Sequence, residues 1–181
     1  MTCIVGLEKD GVVYMGGDSA AVGGMDITIM SEPKVFRNGP MLIGYTSSFR
    51  MGQLLEHVLK VPDNEGLDDI RYLVSVFVPV LRECLKTNGY TTINNNEETG
   101  GVFLLGYNGR LYKVGGDFQV CRSSDGYNAC GCGESFALGA MFMARKSLNP
   151  DVAVEFALAV SAHFSSGVRA PFHVLAGAEK Q

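Results

Sequence analysis

The sequence predicts an α+β fold in four layers (αββα): two antiparallel sheets packed face to face, each covered on its outside by a pair of helices. Three observations carry this. Strand-like runs come in pairs flanking turn dipeptides, Asp10-Gly11, Asn38-Gly39 and Asn108-Gly109, which mark antiparallel hairpins. Helical periodicity appears twice, each time as two consecutive segments, whereas a doubly wound parallel sheet would alternate strand and helix singly. A chain of 181 residues, 46% apolar and 19% charged, is long enough for one sizeable core, so residues 1–181 read as a single domain.

Cys3 to Leu7 and Val12 to Met15 form the first hairpin, followed by flexible Gly16-Gly17 and Asp18. After the glycines near Gly23-Gly24 a short run begins at Ile27, and Lys34 to Phe36 pairs with Met41 to Tyr45. The period then changes. Met51, Leu54, Leu55, Val58 and Leu59 predict an amphipathic helix over 48–60, capped by Ser47 or Ser48. A second helix over 67–87 carries a broad apolar face and a kink at Pro79. Residues 88–100, with Asn94-Asn95-Asn96, read as a flexible solvent-facing loop. Strands follow at 101–105, 110–114 and 118–121, then helices at 134–148 and 150–164, broken at Asn149-Pro150, and a last strand at 172–175.

Composition narrows the function. A net charge of −4 without a Lys/Arg block leaves no electrostatic footprint for nucleic acid. No apolar stretch reaches the length of a membrane span, and the N-terminus has no secretory pattern. A cytoplasmic protein is therefore expected. The odd number of cysteines, 5, fits reduced thiols, and Cys130-x-Cys132 with singly scattered histidines is a weak metal pattern. No G-x-x-x-x-G-K-[S/T] phosphate loop is present. No cofactor is expected. The lean charged fraction is compatible with subunit interfaces replacing part of the solvent contact.

The chemistry is concentrated near the start. A threonine whose own α-amine is free carries its base with it, because that amine has a reference pKa of about 7.7–8.0. Taken alone, Thr2 is merely a small second residue that permits removal of Met1. Asp18 and Lys34, sixteen residues apart in each step, add a carboxylate and a cation. The trio has the composition of an activated nucleophile: the cation favours loss of the hydroxyl proton, and the carboxylate holds the cation.

Thr2-x-Ile4-Val5, Gly16-Gly17-Asp18-Ser19-Ala20, Lys34-Val35 and the strand leading to Ser47-Ser48 resemble the N-terminal half of proteasome β subunits and of the bacterial peptidase HslV. Gly131-Cys132-Gly133-Glu134 to Gly139 resembles their Gly-Ser-Gly motif and following helix, and Ser165-Ser166-Gly167 with Phe172-His173-Val174 resembles their C-terminal portion. The resemblance implies the N-terminal nucleophile (Ntn) hydrolase fold and a threonine-type peptidase acting through Thr2 after Met1 is removed. It implies Asp18 and Lys34 as the supporting pair and the backbone N–H of Ser48, which also opens the first helix with its amide unpaired, as oxyanion donor. Cys132 stands where the family has an assisting serine, His163 matches an aspartate and Ser166 a serine of the same network. Ala21, Glu32, Phe36, Thr46, Arg50 and Leu54 match the substrate pocket. The resemblance further implies identical subunits in one or two stacked rings of six or seven, a peptide or unfolded-protein substrate and a possible separate ATPase unfoldase. An inactive ring-forming homologue and an Ntn amidohydrolase acting on a small amide remain alternatives.

Overall fold

A turn whose two central residues both sit at positive φ sets the first register. In the computed structural model, which describes residues 1–177, Asp10 and Gly11 (φ 52° and 76°) join β1 (Cys3–Lys9) to β2 (Val12–Gly17), as a tight turn matched to strand twist requires. The strands β3 (Ala20–Gly23) and β4 (Asp26–Ile29) form a separate hairpin. Then come β5 (Val35–Asn38) and β6 (Met41–Tyr45) and the helix α1 (Phe49–His57). The helix α2 (Asp69–Tyr72) runs into a π-turn over Leu73–Phe77 and on into α3 (Val78–Thr87). The hairpin β7 (Thr92–Asn94) and β8 (Glu97–Thr99) follows, then β9 (Phe103–Tyr107) and β10 (Arg110–Val114), turned by Asn108 and Gly109 at φ 48° and 71°. The chain continues with β11 (Val120–Cys121), β12 (Tyr127–Gly131), α4 (Glu134–Ala144), α5 (Pro150–Phe164) and β13 (His173–Ala176).

One sheet has the order β12-β1-β2-β13 and the other β11-β10-β9-β6-β5, with every pairing antiparallel. Alternation along the strands builds the layers. Cys3, Val5 and Leu7 of β1 face α4 and α5, where Met141, Val154, Ala157 and Leu158 are fully buried. Ile4 points the other way and joins Val13, Met15, Val35, Leu42, Leu104, Leu111 and Cys130 between the sheets. Met41, Ile43 and Tyr45 of β6 pack outward with Phe103, Leu105, Leu54, Phe77 and Leu81 under α1 and α3. Each such large side chain, once buried, contributes about 1.5–3 kcal/mol. The four-layer αββα sandwich expected from the sequence is the architecture observed.

Several local expectations are corrected. Residues 88–100 are not a loop throughout: Asn95 and Asn96 at φ 48° and 66° turn the β7–β8 hairpin, because Asn tolerates the left-handed region that this turn needs. A strand went unforeseen at Tyr127–Gly131, although it is the edge partner of β1. Pro79 does not simply kink a continuous helix. The π-turn before it lets the Val78 N–H reach back to Leu73 O, a wider ring that makes room for a residue without an N–H. Strand β11 begins only at Val120, helix α4 ends at Ala144, and Phe118 has φ 66°.

Gly44 sits where the sheets come closest. A Cβ there would lie 2.6 Å from Ile4 Cγ2 and 2.7 Å from Met15 Sδ. Gly44→Ala is therefore expected to destabilise by about 1–3 kcal/mol through overpacking, read as a lower urea midpoint with an unchanged denaturant slope.

Candidate active site

The hairpin register carries the first two site residues to one another. Ile4 pairs with Gly17, so Asp18 falls opposite Cys3 and beside Thr2, just outside the end of the sheet. The Asp18 N–H donates to Cys3 O at 3.3 Å, and the Cys3 N–H returns a bond to Asp18 Oδ1 at 3.0 Å. Lys34 arrives from the other sheet, immediately before β5, and its carbonyl accepts from the Tyr45 N–H at 3.1 Å. Its ammonium donates to Asp18 Oδ1 at 2.8 Å, Thr2 Oγ1 at 3.0 Å and Ala20 O at 2.6 Å. Those bonds use all the donors a lysine has. Asp18 also accepts from the main-chain N–H groups of Ala20 (2.9 Å) and Arg169 (3.3 Å) through Oδ2.

Asp18 and Lys34 are fully buried, and Thr2 is 6% exposed. Burial holds the Lys34 ammonium below the ordinary lysine range, and the Asp18 carboxylate only partly offsets that. The cation beside the Thr2 hydroxyl is thus less costly to deprotonate than a surface lysine. With Met1 attached, the Thr2 hydroxyl donates to Met1 O at 2.6 Å. Gly131 lets β12 run tightly past this point: it has φ 100°, and a Cβ on it would collide with Thr2 O.

Ser48 caps α1, its hydroxyl accepting from the Arg50 N–H at 3.1 Å. Its own N–H is not unpaired, contrary to expectation: it donates to Thr46 O at 2.8 Å across Ser47, which holds φ 69° and whose hydroxyl accepts from the Val102 N–H at 3.1 Å. Cys132 lies beside Thr2, with its thiol 3.4 Å from Thr2 O and 3.5 Å from the Ser165 hydroxyl. Ser166 is exposed, and its neighbour Ser165 makes the contact to Cys132. His163 is exposed and stands edge-on to the Phe164 ring at 4.7 Å. Among the described residues no hydrogen bond joins His163 or Ser166 to Thr2, Asp18, Lys34 or Cys132.

A small cleft beside Thr2 is lined by Met1, Tyr45, Thr46, Ser47, Ser48 and Phe49. Tyr45 and Phe49 also wall an adjoining groove with Glu32, Pro33, Gln53 and Glu56. Of the predicted pocket residues, Thr46 and Glu32 reach these depressions. Phe36 and Leu54 lie in the outer core, with the Phe36 ring 6.2 Å from that of Tyr45. Ala21 is half-buried on β3, and Arg50 is exposed at the start of α1. Glu32 accepts from the Ser31 hydroxyl, and among the described residues no ion pair joins it to Arg50. Phe49 was missed by sequence reasoning: its ring centroid is 5.7 Å from Lys34 Nζ, and an aromatic directly after the Ser48 cap was the available signal. A wider depression lined by Arg82, Glu98, Asp117 and Phe118 among others shares no residue with the Thr2 cluster.

The cysteines separate by environment. Burial pushes the Cys3 thiol up to about 12 while it bonds to Ser161 on the helix side of β1. Cys130 is buried between the sheets and its thiol is likewise raised, whereas Cys132 is exposed. Among the described residues no three metal-ligating side chains cluster, and no helix is long and apolar enough to cross a membrane.

No protein-family model matches the chain, and no curated protein sequence matches it. Solved structures do. Thiobacillus denitrificans BPH superposes with a TM-score of 0.85 at 21% identity, covering 99% of each chain. A structure of that protein in complex with epoxomicin gives 0.81 at 20%, covering 99% of this chain and 100% of that one. Eukaryotic HslV from Trypanosoma brucei gives 0.67 at 17%, with 97% and 98% covered. These likenesses establish the fold, which this chain shares with BPH and HslV.

Lys34→Met leaves the Asp18 carboxylate buried without its cation and is expected to cost about 3–5 kcal/mol. Combining it with Asp18→Asn is expected to recover much of that loss, a coupling measured by urea denaturation in a double-mutant cycle.

Proposed function

We propose that this chain, which shares its fold with HslV and BPH, is a threonine-type endopeptidase subunit whose nucleophile is Thr2 after removal of Met1. The observation that carries the reading is the buried Lys34 ammonium, which bonds the Thr2 hydroxyl and the Asp18 carboxylate together. A structural ion pair would not need a hydroxyl at a cleft floor as its third partner.

The chemistry follows from those groups. With Met1 gone, the Thr2 α-amine takes the hydroxyl proton as Oγ1 attacks a peptide carbonyl, and Lys34 stabilises the developing oxyanion character on Oγ1. The amine then delivers its proton to the leaving nitrogen as the C–N bond breaks, which leaves an ester on Thr2. Water, deprotonated by the same amine, hydrolyses the ester and restores the hydroxyl. The Ser48 N–H, which lines the same cleft as Thr2, is the oxyanion donor of this reading, and it serves the carbonyl oxygen once it parts from Thr46 O. Glu32 and Thr46 belong to the substrate side of the reading, Phe36 backs Tyr45 from the core, and Cys132 belongs to the polar network beside Thr2.

Assembly is part of the proposal: identical subunits in one or two stacked rings of six or seven, acting in the cytoplasm on peptides or unfolded proteins, with a separate ATPase unfoldase as partner. Phe142 and Met143 on α4, and the Phe164 ring of α5 stacked on Phe136 of α4, are exposed and support self-association, in which a second subunit would cover these large apolar side chains. A second reading, a ring-forming homologue without peptidase activity, draws on the Ser48 N–H, which is committed to Thr46 O rather than open to a substrate oxyanion.

Intact mass decides between them. Loss of Met1 and one epoxomicin adduct mapped to Thr2, absent in Thr2→Ala, is the expected result; full retention of Met1 with no adduct supports the inactive homologue. Peptide hydrolysis is further expected to rise through the α-amine range of about 7.7–8.0 and to fall again below a free lysine's value of about 10.4. The second limb follows because burial lowers the Lys34 pKa, so its proton is lost earlier than from a surface lysine. Sedimentation velocity of Met143→Glu is expected to show smaller species than the parent.

A further inference from the structure

Arg169, on the loop between α5 and β13, takes no part in the chemistry above, yet its contacts run to both halves of the site. Its Nη1 donates to three main-chain carbonyls: Ala162 O at 3.3 Å, Ser165 O at 3.0 Å and Val168 O at 2.6 Å. These cluster where α5 ends and the chain turns away, at the negative pole of the helix, and a helix end leaves carbonyls in need of donors. The main chain of the same residue faces the other way. Its N–H donates to Asp18 Oδ2 at 3.3 Å, and its carbonyl accepts from the Ser19 N–H at 2.9 Å.

The loop held between these contacts is a wall of the site. The Ser165 hydroxyl touches Cys132 Sγ. Gly167 packs so closely that a Cβ on it would lie 2.5 Å from Met1 Cβ and 2.7 Å from Cys132 Sγ, and Val168 is fully buried in the helix-side core. Asp18 in turn carries the Lys34 ammonium that reaches Thr2 Oγ1. We infer that Arg169 is a positioning residue: its guanidinium folds the 165–169 loop onto the end of α5, so that its own N–H fixes Asp18 and, through Asp18, sets Lys34 on the Thr2 hydroxyl.

Arginine suits the task because its cation persists at every working pH and the two N–H groups of Nη1, one of them shared, reach all three carbonyls. Lysine offers three N–H groups for the same three carbonyls, whereas alanine and methionine offer none. The kinetic consequence rests on the peptidase reading; the structural consequence does not.

The test compares Arg169→Ala, Arg169→Lys and Arg169→Met in the full chain, with Arg169→Met, which keeps the apolar stem, carrying the comparison if Arg169→Ala does not fold. Loss of the cation is expected to lower kcat about 10–100-fold, the scale of a displaced site group, with KM nearly unchanged. Arg169→Lys, or millimolar guanidinium ion added to Arg169→Ala, is expected to restore most of it. The Lys34 side-chain resonance, followed by NMR through a pH titration, is expected to move up toward the ordinary lysine range in Arg169→Ala as water enters. An unchanged kcat, or a loss that neither lysine nor guanidinium restores, overturns the inference. If the parent protein cleaves no peptide, the peptidase reading fails by itself, and a Lys34 titration that ignores the substitution then overturns this inference separately.

Discussion

The buried ammonium of Lys34 organises the molecule around Thr2. An ion removed from water carries a large desolvation cost, and this one is met by a carboxylate, a hydroxyl and a main-chain carbonyl, all within 3.0 Å. Two of those acceptors belong to the ends of β1 and β2 in one sheet, and the lysine itself belongs to the start of β5 in the other. The constellation therefore exists only when the sheets are stacked. Folding and assembly of the site are one event, and the same stacking that buries Ile4, Met15 and Leu42 brings Lys34 over Thr2.

That stacking needs small residues where the sheets meet and rigid supports where they end. Gly44 lets β6 approach Ile4 and Met15, and Gly131 lets β12 pass Thr2. At the open edge the supports are polar. Asp18 is held by three main-chain N–H groups besides its lysine, so its position is set by backbone geometry and only secondarily by side-chain choice. The loop that supplies one of those N–H groups is pinned through Arg169 to the end of α5. The helix-side core and Thr2 thus share a mechanical connection that runs through hydrogen bonds rather than through packing.

Much of this was legible from residue types. Asp10-Gly11 and Asn108-Gly109 announce their turns because glycine at the second position accepts positive φ without strain. Asn95-Asn96 makes the same kind of turn, but Thr92 to Thr99 lacks apolar alternation, since both strands of that hairpin are largely exposed; no burial signal existed to read. Tyr127–Gly131 was hidden for the opposite reason, being a short run bracketed by glycines that becomes a strand only by pairing with β1. At the site, Thr2, Asp18 and Lys34 could be grouped because a hairpin of known register puts the first two side by side. Ser48 could not be judged, because whether its N–H is free depends on the φ of Ser47. The shift from Ser166 to Ser165 as the neighbour of Cys132 is one residue of loop geometry, beyond the resolution of any pattern.

By itself the sequence determined the layer order, the tight turns and the grouping of a hydroxyl, a carboxylate and a cation at Thr2, Asp18 and Lys34, since these follow from periodicity, from backbone preferences and from chemistry that only certain side chains possess. Tertiary structure decided which donors are already occupied, which loop serine meets Cys132, which aromatic rings wall the cleft and what Arg169 holds. The division has one physical cause. Side-chain type and local backbone preference are properties of neighbouring residues, whereas hydrogen bonds among main-chain groups at the ends of separate elements depend on how those elements pack, and main-chain groups are the same in every residue.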